Sequence, residues 1–166
     1  YNKKKSGGRK MITIEHLTFS YKEHNIFNNF NLNIKKGSFT TLVGPIGSGK
    51  TTLIKIILGM IRTNASIKID NLELCPRNIK KICSKIGILF ENPDEVFVAE
   101  TVMDEMAFIL ENMNMKRNII KERIDTIAQQ LNIENLLECN PHMISDGEKQ
   151  IVSLASSLVI EPELLI

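Results

Sequence analysis

The run Gly44-Pro45-Ile46-Gly47-Ser48-Gly49-Lys50-Thr51-Thr52 constrains this chain more than any other feature, because it fits G-x-x-x-x-G-K-[ST]. Phe39 to Val43 just before it reads as a short apolar strand. From Lys50 to about Met60 the apolar residues Leu53, Ile56, Ile57 and Met60 recur at helical spacing. A strand passing through glycines into a helix is the context the motif requires. Glycines let the backbone take φ > 0 and bring its amides onto phosphate oxygens with no Cβ in the way. The helix start adds unpaired amides and about half a positive charge. Lys50 contributes a point charge near the β- and γ-phosphates, and the Thr51 hydroxyl suits Mg²⁺. A glycine-rich turn matches this pattern by chance with odds on the order of one in a hundred for a chain of this length. A nucleoside triphosphate is the expected ligand. The loop alone leaves the class open, but the chain has no N-K-x-D guanine reader and no Arg-rich lid after the loop.

The remaining pattern predicts an α/β fold. Ile12, Ile14 and Leu17 sit among polar residues, and Phe30, Leu32 and Ile34 alternate with Asn31, Asn33 and Lys35, so Met11 to Val43 reads as β-rich. Ser66 to Ile69 and Ile86 to Phe90 are further strands. Helices are expected at about 78–85, 100–113, 116–131 and 147–159, and Leu164-Leu165-Ile166 opens another strand after Pro162. Strands interleaved with helices argue for a largely parallel core sheet. A helical subdomain is expected at about 95–150 within one domain spanning 11–166. Residues 1–10, YNKKKSGGRK, read as a flexible tail or cloning remnant and are set apart from the fold.

Lys plus Arg number 21 against 19 for Asp plus Glu, a net charge of +2 that gives no field strong enough to argue for a nucleic-acid partner. Cys75, Cys83 and Cys139 show no CxxC spacing, as expected of free thiols in a reducing compartment. No apolar run approaches the ~20 residues that span a bilayer, so a membrane role would come through a partner.

Three further strings carry a resemblance. Ile144-Ser145-Asp146-Gly147-Glu148-Lys149-Gln150 resembles the L-S-G-G-Q signature of ABC ATPases, and Phe90-Glu91-Asn92-Pro93-Asp94 falls at their Q-loop. The run NPDEVFVAETVMDEMAFILEN, with Pro141-His142 and with Leu17-Thr18-Phe19-Ser20-Tyr21 near the start, is similar to the ATPases of energy-coupling factor importers of vitamins and Co²⁺ or Ni²⁺. The resemblance spans Met11 to Ile166. It implies a P-loop NTPase fold of the ABC ATPase type, with an N-terminal antiparallel β region, a parallel core sheet and an α-helical insertion. It also implies ATP and Mg²⁺ as cofactors, with residues 44–52 on the phosphates and Thr51 and Glu91 near the metal. Tyr21 would stack on adenine, although an ordinary strand aromatic reads the same way. Ser145 and Gly147 would meet the γ-phosphate held by a second ATP-binding subunit, identical or sister. The string also reads as a helix N-cap, and both roles can hold together. Further implied partners are a transmembrane coupling protein and a substrate-binding membrane subunit, with the chain peripheral on the cytoplasmic face of the membrane.

Departures from the family pattern set a rival expectation. Glu91 stands where the Q-loop carries Gln, Asp146 where the signature has its first Gly, and Ile46 replaces the usual Asn of the phosphate loop. Two carboxylates near an anionic γ-phosphate favour slow or asymmetric turnover, or a non-hydrolysing regulatory subunit. A soluble ABC ATPase of DNA repair or translation is a third reading, disfavoured by the charge balance. The Asp-Glu pair that follows the last strand in the family is absent through Ile166. The chain as given is therefore expected to be a truncated ATPase that binds ATP and does not hydrolyse it, incomplete at its C-terminus.

Overall fold

The computed structural model describes residues 9–166, and the first eight residues of the expected tail lie outside the described residues. The described residues form two compact units, one ending at Cys83 and the other Ser84–Ile166.

The first unit is built on a four-stranded antiparallel sheet. Strands β1 (Lys10–Tyr21) and β2 (His24–Lys35) make a long hairpin closed at Tyr21 and His24. Strands β3 (Ser66–Ile69) and β4 (Leu72–Glu73) extend it in the order β2-β1-β3-β4. The β3–β4 turn places Asp70 and Asn71 at φ 45° and 66°, the left-handed pair a two-residue hairpin demands and one that Asp and Asn tolerate. Period-two alternation puts Ile12 and Ile14 into the core with Ile67 and Ile69 opposite them. Helix α1 (Lys50–Ile57) buries Leu53, Ile56 and Ile57, and ends where Gly59 turns to φ 72°. A short helix α2 (Ile79–Cys83) closes the unit.

The expected strand at Phe39–Val43 does not form: residues 38–43 join neither sheet, and Phe39 is 97% exposed. Apolar, β-prone residues make a strand only where a neighbour supplies the hydrogen-bond ladder, and no described strand pairs with this segment.

The second unit is a helical cluster beside a two-stranded parallel sheet. Strands β5 (Ile86–Gly87) and β6 (Leu164–Leu165) pair in register, with Lys85 and Glu163 joined at 2.6 Å next to them. The run expected to continue to Phe90 is strand only over its first two residues. Helices α3 (Val102–Asn112), α4 (Arg117–Leu131) and α5 (Asp146–Leu158) pack together through stripes at i, i+4, i+8: Val102, Met106 and Leu110 on α3, Ile120, Ile124 and Ala128 on α4. Thr101 caps α3 by accepting the Asp104 amide. At the far end of α5 the Arg123 guanidinium donates to the Val159 carbonyl at 3.1 Å and to Glu161 at 2.8 Å, satisfying a helix-end acceptor.

Candidate nucleotide site

The phosphate loop lies in the first unit and is shaped by its glycines. Gly47 and Gly49 sit at φ 81° and 91°. Gly49 also touches β2 so closely that a Cβ would lie 2.6 Å from Ile26 Cγ2. A Cβ on Gly44 would meet Ser48 Oγ at 2.7 Å. Gly49 is thus required twice, for its backbone angle and for the close approach that seats the loop on the hairpin carrying Tyr21.

Helix α1 leaves its start open. No side chain caps it and its first turn holds no acidic residue, in contrast to α3 and α5, whose caps and acidic first turns occupy their own amides. Those free N–H groups of α1 and the helix dipole favour an anion. Lys50 Nζ folds back over the loop, donating to the Gly44 carbonyl at 2.8 Å and the Pro45 carbonyl at 2.9 Å. Its ammonium is therefore held at the loop. Thr51 is exposed and Thr52 half-buried in the first turn, and the Ile46 side chain is fully exposed. Tyr21 ends β1, 45% exposed, with Phe19 meeting its ring edge-on at 4.9 Å.

The second unit gathers the other sequence-derived residues. Glu91 is exposed just after β5, and its carbonyl accepts from Gln150 Nε2 at 3.3 Å. Ser145 is the N-cap of α5, in a reciprocal capping box with Glu148. The Glu148 carboxylate accepts from the Ser145 amide at 2.8 Å and the Ser145 hydroxyl at 2.7 Å. The Ser145 hydroxyl bond first, then the amide bond, hold the Glu148 carboxyl below its ordinary 4.5. Gly147 faces open space and the Asp146 side chain projects into solvent.

Sequence reasoning gave no role to Asp94, His142 and Lys149. Asp94 accepts from Lys149 Nζ at 2.9 Å and lies 3.2 Å from His142 Nδ1. The Lys149 bond above all, with His142, holds the Asp94 carboxyl below its ordinary 3.8. All three residues fall within strings that carried the resemblance, but no spacing rule signals a contact across 55 residues.

Among the described residues no cluster of three His, Cys, Asp or Glu could cage a metal ion. Mg²⁺ needs no such cage: it takes one or two protein oxygens and completes its shell with phosphate and water. The Thr51 hydroxyl fits that donor set.

Strand hairpin, glycine-rich loop and uncapped helix together define a P-loop nucleotide-binding fold. The family model described as ABC transporter matches residues 27–166, and the chain belongs to that family. Among individual proteins, it is 43% identical over 157 residues to the energy-coupling factor transporter ATP-binding protein EcfA of Aster yellows witches'-broom phytoplasma (strain AYWB), covering 94% of this chain and 58% of that protein. It is 38% identical to EcfA1 of Mycoplasmopsis synoviae (strain 53), covering 94% of this chain and 60% of that protein. The solved structure of cbiO1 from Clostridium perfringens, described as part of the ABC transporter complex cbiONQ, superposes with a TM-score of 0.84 at 30% identity, over 95% of this chain and 64% of that one. The chain thus spans about three fifths of the length of the relatives it matches. Among the described residues no helix is long and apolar enough to cross a membrane.

Proposed function

We propose that this protein is the ATP-binding subunit of an energy-coupling factor type importer, hydrolysing ATP to drive uptake of a vitamin or a Co²⁺ or Ni²⁺ ion. The observation that carries the reading is the phosphate loop: Lys50 already poised over it at 2.8 and 2.9 Å from two loop carbonyls, above a helix start with no cap of its own. The similarity to EcfA proteins over 94% of the chain supports the transport role.

Residues 44–49 would wrap the β-phosphate with amides while Lys50 leaves its loop carbonyls for the β- and γ-oxygens. This trade costs little, because one set of charge-assisted bonds replaces another. Tyr21 would supply a flat face to adenine, a contact worth about 1–3 kcal/mol that reads no base edge. Thr51 would hold Mg²⁺, which supplies charge neutralisation at the phosphates when bound. Ser145 and Gly147 would face the γ-phosphate of a second ATP-binding subunit, so that ATP joins the two head to tail. Ser145 must then donate its hydroxyl hydrogen bond to phosphate rather than to Glu148. The membrane-embedded coupling and substrate-binding subunits would place the protein on the cytoplasmic face.

A second reading, a subunit that binds ATP and turns it over slowly or not at all, is favoured by two exposed carboxylates, Glu91 and Asp146, at positions meant to approach the γ-phosphate. Binding separates from turnover in one experiment. Lys50→Ala should weaken ATP binding by a charge-assisted contact of about 1.5–3 kcal/mol, roughly tenfold to a hundredfold in Kd. Calorimetry and phosphate release are measured on the same samples. An unchanged Kd would remove the nucleotide site from residues 44–52.

A further inference from the structure

A groove of about 420 Å³ lies wholly in the first unit, lined by residues between Gly59 and Ile79 and by none of the phosphate-loop residues. Its walls are aliphatic, from Ile61, Ile67, Leu74 and Ile79. Backbone bonds hold those walls in place. The Ile61 amide donates to the Lys55 carbonyl at 3.2 Å, the Leu74 amide to the Ile67 carbonyl at 2.8 Å and the Ile79 amide to the Cys75 carbonyl at 3.0 Å. Asn78 Nδ2 adds a bond to the Glu73 carbonyl at 2.9 Å. Gly59, at φ 72°, brings backbone against one wall, since a Cβ there would lie 2.8 Å from Ile79 Cδ1. Ten residues line the groove, against about 20–30 on each side of a standard protein interface, and its volume falls among small-ligand pockets of about 300–1,000 Å³.

Charge narrows the ligand further. Arg62 lines the groove and is exposed, and its guanidinium has no hydrogen-bond or ion-pair partner among the described residues. Arg77 and Lys80, which follow the lining residues Pro76 and Ile79, are exposed and unpaired in the same sense. The two carboxylates of residues 59–83 are turned to other cations: Asp70 lies 3.7 Å from both Arg9 and Lys36, and Glu73 stands opposite Lys68 across the β3–β4 hairpin. An aliphatic cleft beside unpaired cations is complementary to a molecule that is apolar along its length and anionic at one end. The planar guanidinium fork matches a carboxylate with two parallel bonds, and a carboxylate leaves water cheaply only where such a partner waits.

We propose that this groove binds a single-chain amphipathic carboxylate, with its chain against Ile61, Ile67, Leu74 and Ile79 and its head on Arg62. The site shares no residue with the phosphate loop and stands independently of the nucleotide reading.

Cys75 lines the groove, half-buried, and supplies the readout, while Cys83, exposed and outside it, is the internal control. The intact protein is alkylated with iodoacetamide in the presence of decanoate, kept below its micelle concentration, and each thiol is followed by peptide mass spectrometry. Decanoate at about ten times its Kd should slow alkylation of Cys75 about fivefold or more and leave Cys83 unchanged. Decanol, with the same chain and no charge, and acetate, with the head and no chain, should each need at least about tenfold more for the same protection. Arg62→Met should raise the decanoate Kd about tenfold to a hundredfold and leave decanol unaffected. Arg62→Lys, which keeps the charge and loses the fork, should fall between. Arg62 is exposed, so its replacement leaves the packing of the unit intact. No protection of Cys75 by decanoate up to about 1 mM would overturn the proposal. Equal slowing at Cys83, protection by decanol matching that by decanoate, or an unchanged Kd in Arg62→Met would overturn it as well.

Discussion

Gly49→Ala is expected to destabilise the first unit through two separable effects. At φ 91° a side chain costs about 1–2 kcal/mol in backbone strain alone. The new methyl would also lie 2.6 Å from Ile26 Cγ2 and 3.1 Å from Phe27 Cζ. Ile26 is β-branched and stiff at χ1, so its Cγ2 cannot swing aside, and the Phe27 ring is buried. Forcing a methyl into such a space costs about a further 1–3 kcal/mol, for a total near 2–5 kcal/mol. Gly47 provides the control, with φ 81° and nothing within 4 Å of the point a methyl would occupy. Gly47→Ala should therefore show the backbone cost of about 1–2 kcal/mol and no more. With a urea slope of about 2 kcal/mol/M, the midpoint should fall by about 1–2.5 M for Gly49→Ala and about 0.5–1 M for Gly47→Ala. Adding Ile26→Ala to Gly49→Ala should recover the packing part and leave the backbone part, a non-additive result that isolates the contact. Urea unfolding followed by circular dichroism reads all four proteins. Equal shifts for the two glycine substitutions would refute the reasoning, since the loop would then not be seated on β2 by close approach.

Two other perturbations follow from the site. Under the proposed function, Glu91→Gln restores the family's usual residue at the Q-loop position and should raise phosphate release by the intact protein about threefold to tenfold with ATP affinity equal or better. A lower rate would show that Glu91 itself serves turnover. Because the Ser145 bonds depress the Glu148 carboxyl in the folded state, their stabilisation is present above its ordinary 4.5 and is lost as pH falls through the depressed value. Thermal unfolding of the parent protein and Glu148→Gln should differ at pH 7 and converge well below pH 4.5, and a constant gap down to the lowest pH measured would refute that assignment.

Local rules made much of this chain legible. The glycine-rich loop leading into α1 could be read because its backbone depends on glycines at fixed offsets, with Gly47 and Gly49 at φ 81° and 91°. Helices α3, α4 and α5 fall close to the expected spans because helical periodicity is set within a few turns, and Ser145 with Glu148 three residues on spelled out a helix start that the capping box realises. The strand character of β1 and β2 followed from alternation of the same local kind, whereas their pairing as a hairpin is seen in the structure. Where the outcome depended on a distant neighbour, sequence was silent or misled. Phe39–Val43 has the composition of a strand, yet a strand exists only with a partner, and none is present among the described residues. Of Ile86–Phe90, Ile86 and Gly87 pair with Leu164 and Leu165, and Leu89 still donates to the Ile166 carbonyl at 2.8 Å. That Gly49 is needed for space as well as for φ appears only once β2 is laid against the loop. Asp94 and Lys149, 55 residues apart, become one unit only because the packed core of α3, α4 and α5 brings the turn after β5 against the first turn of α5. Patterns of period two and 3.6 are properties of neighbouring residues, whereas closing a contact across dozens of residues is decided by the burial of the whole unit.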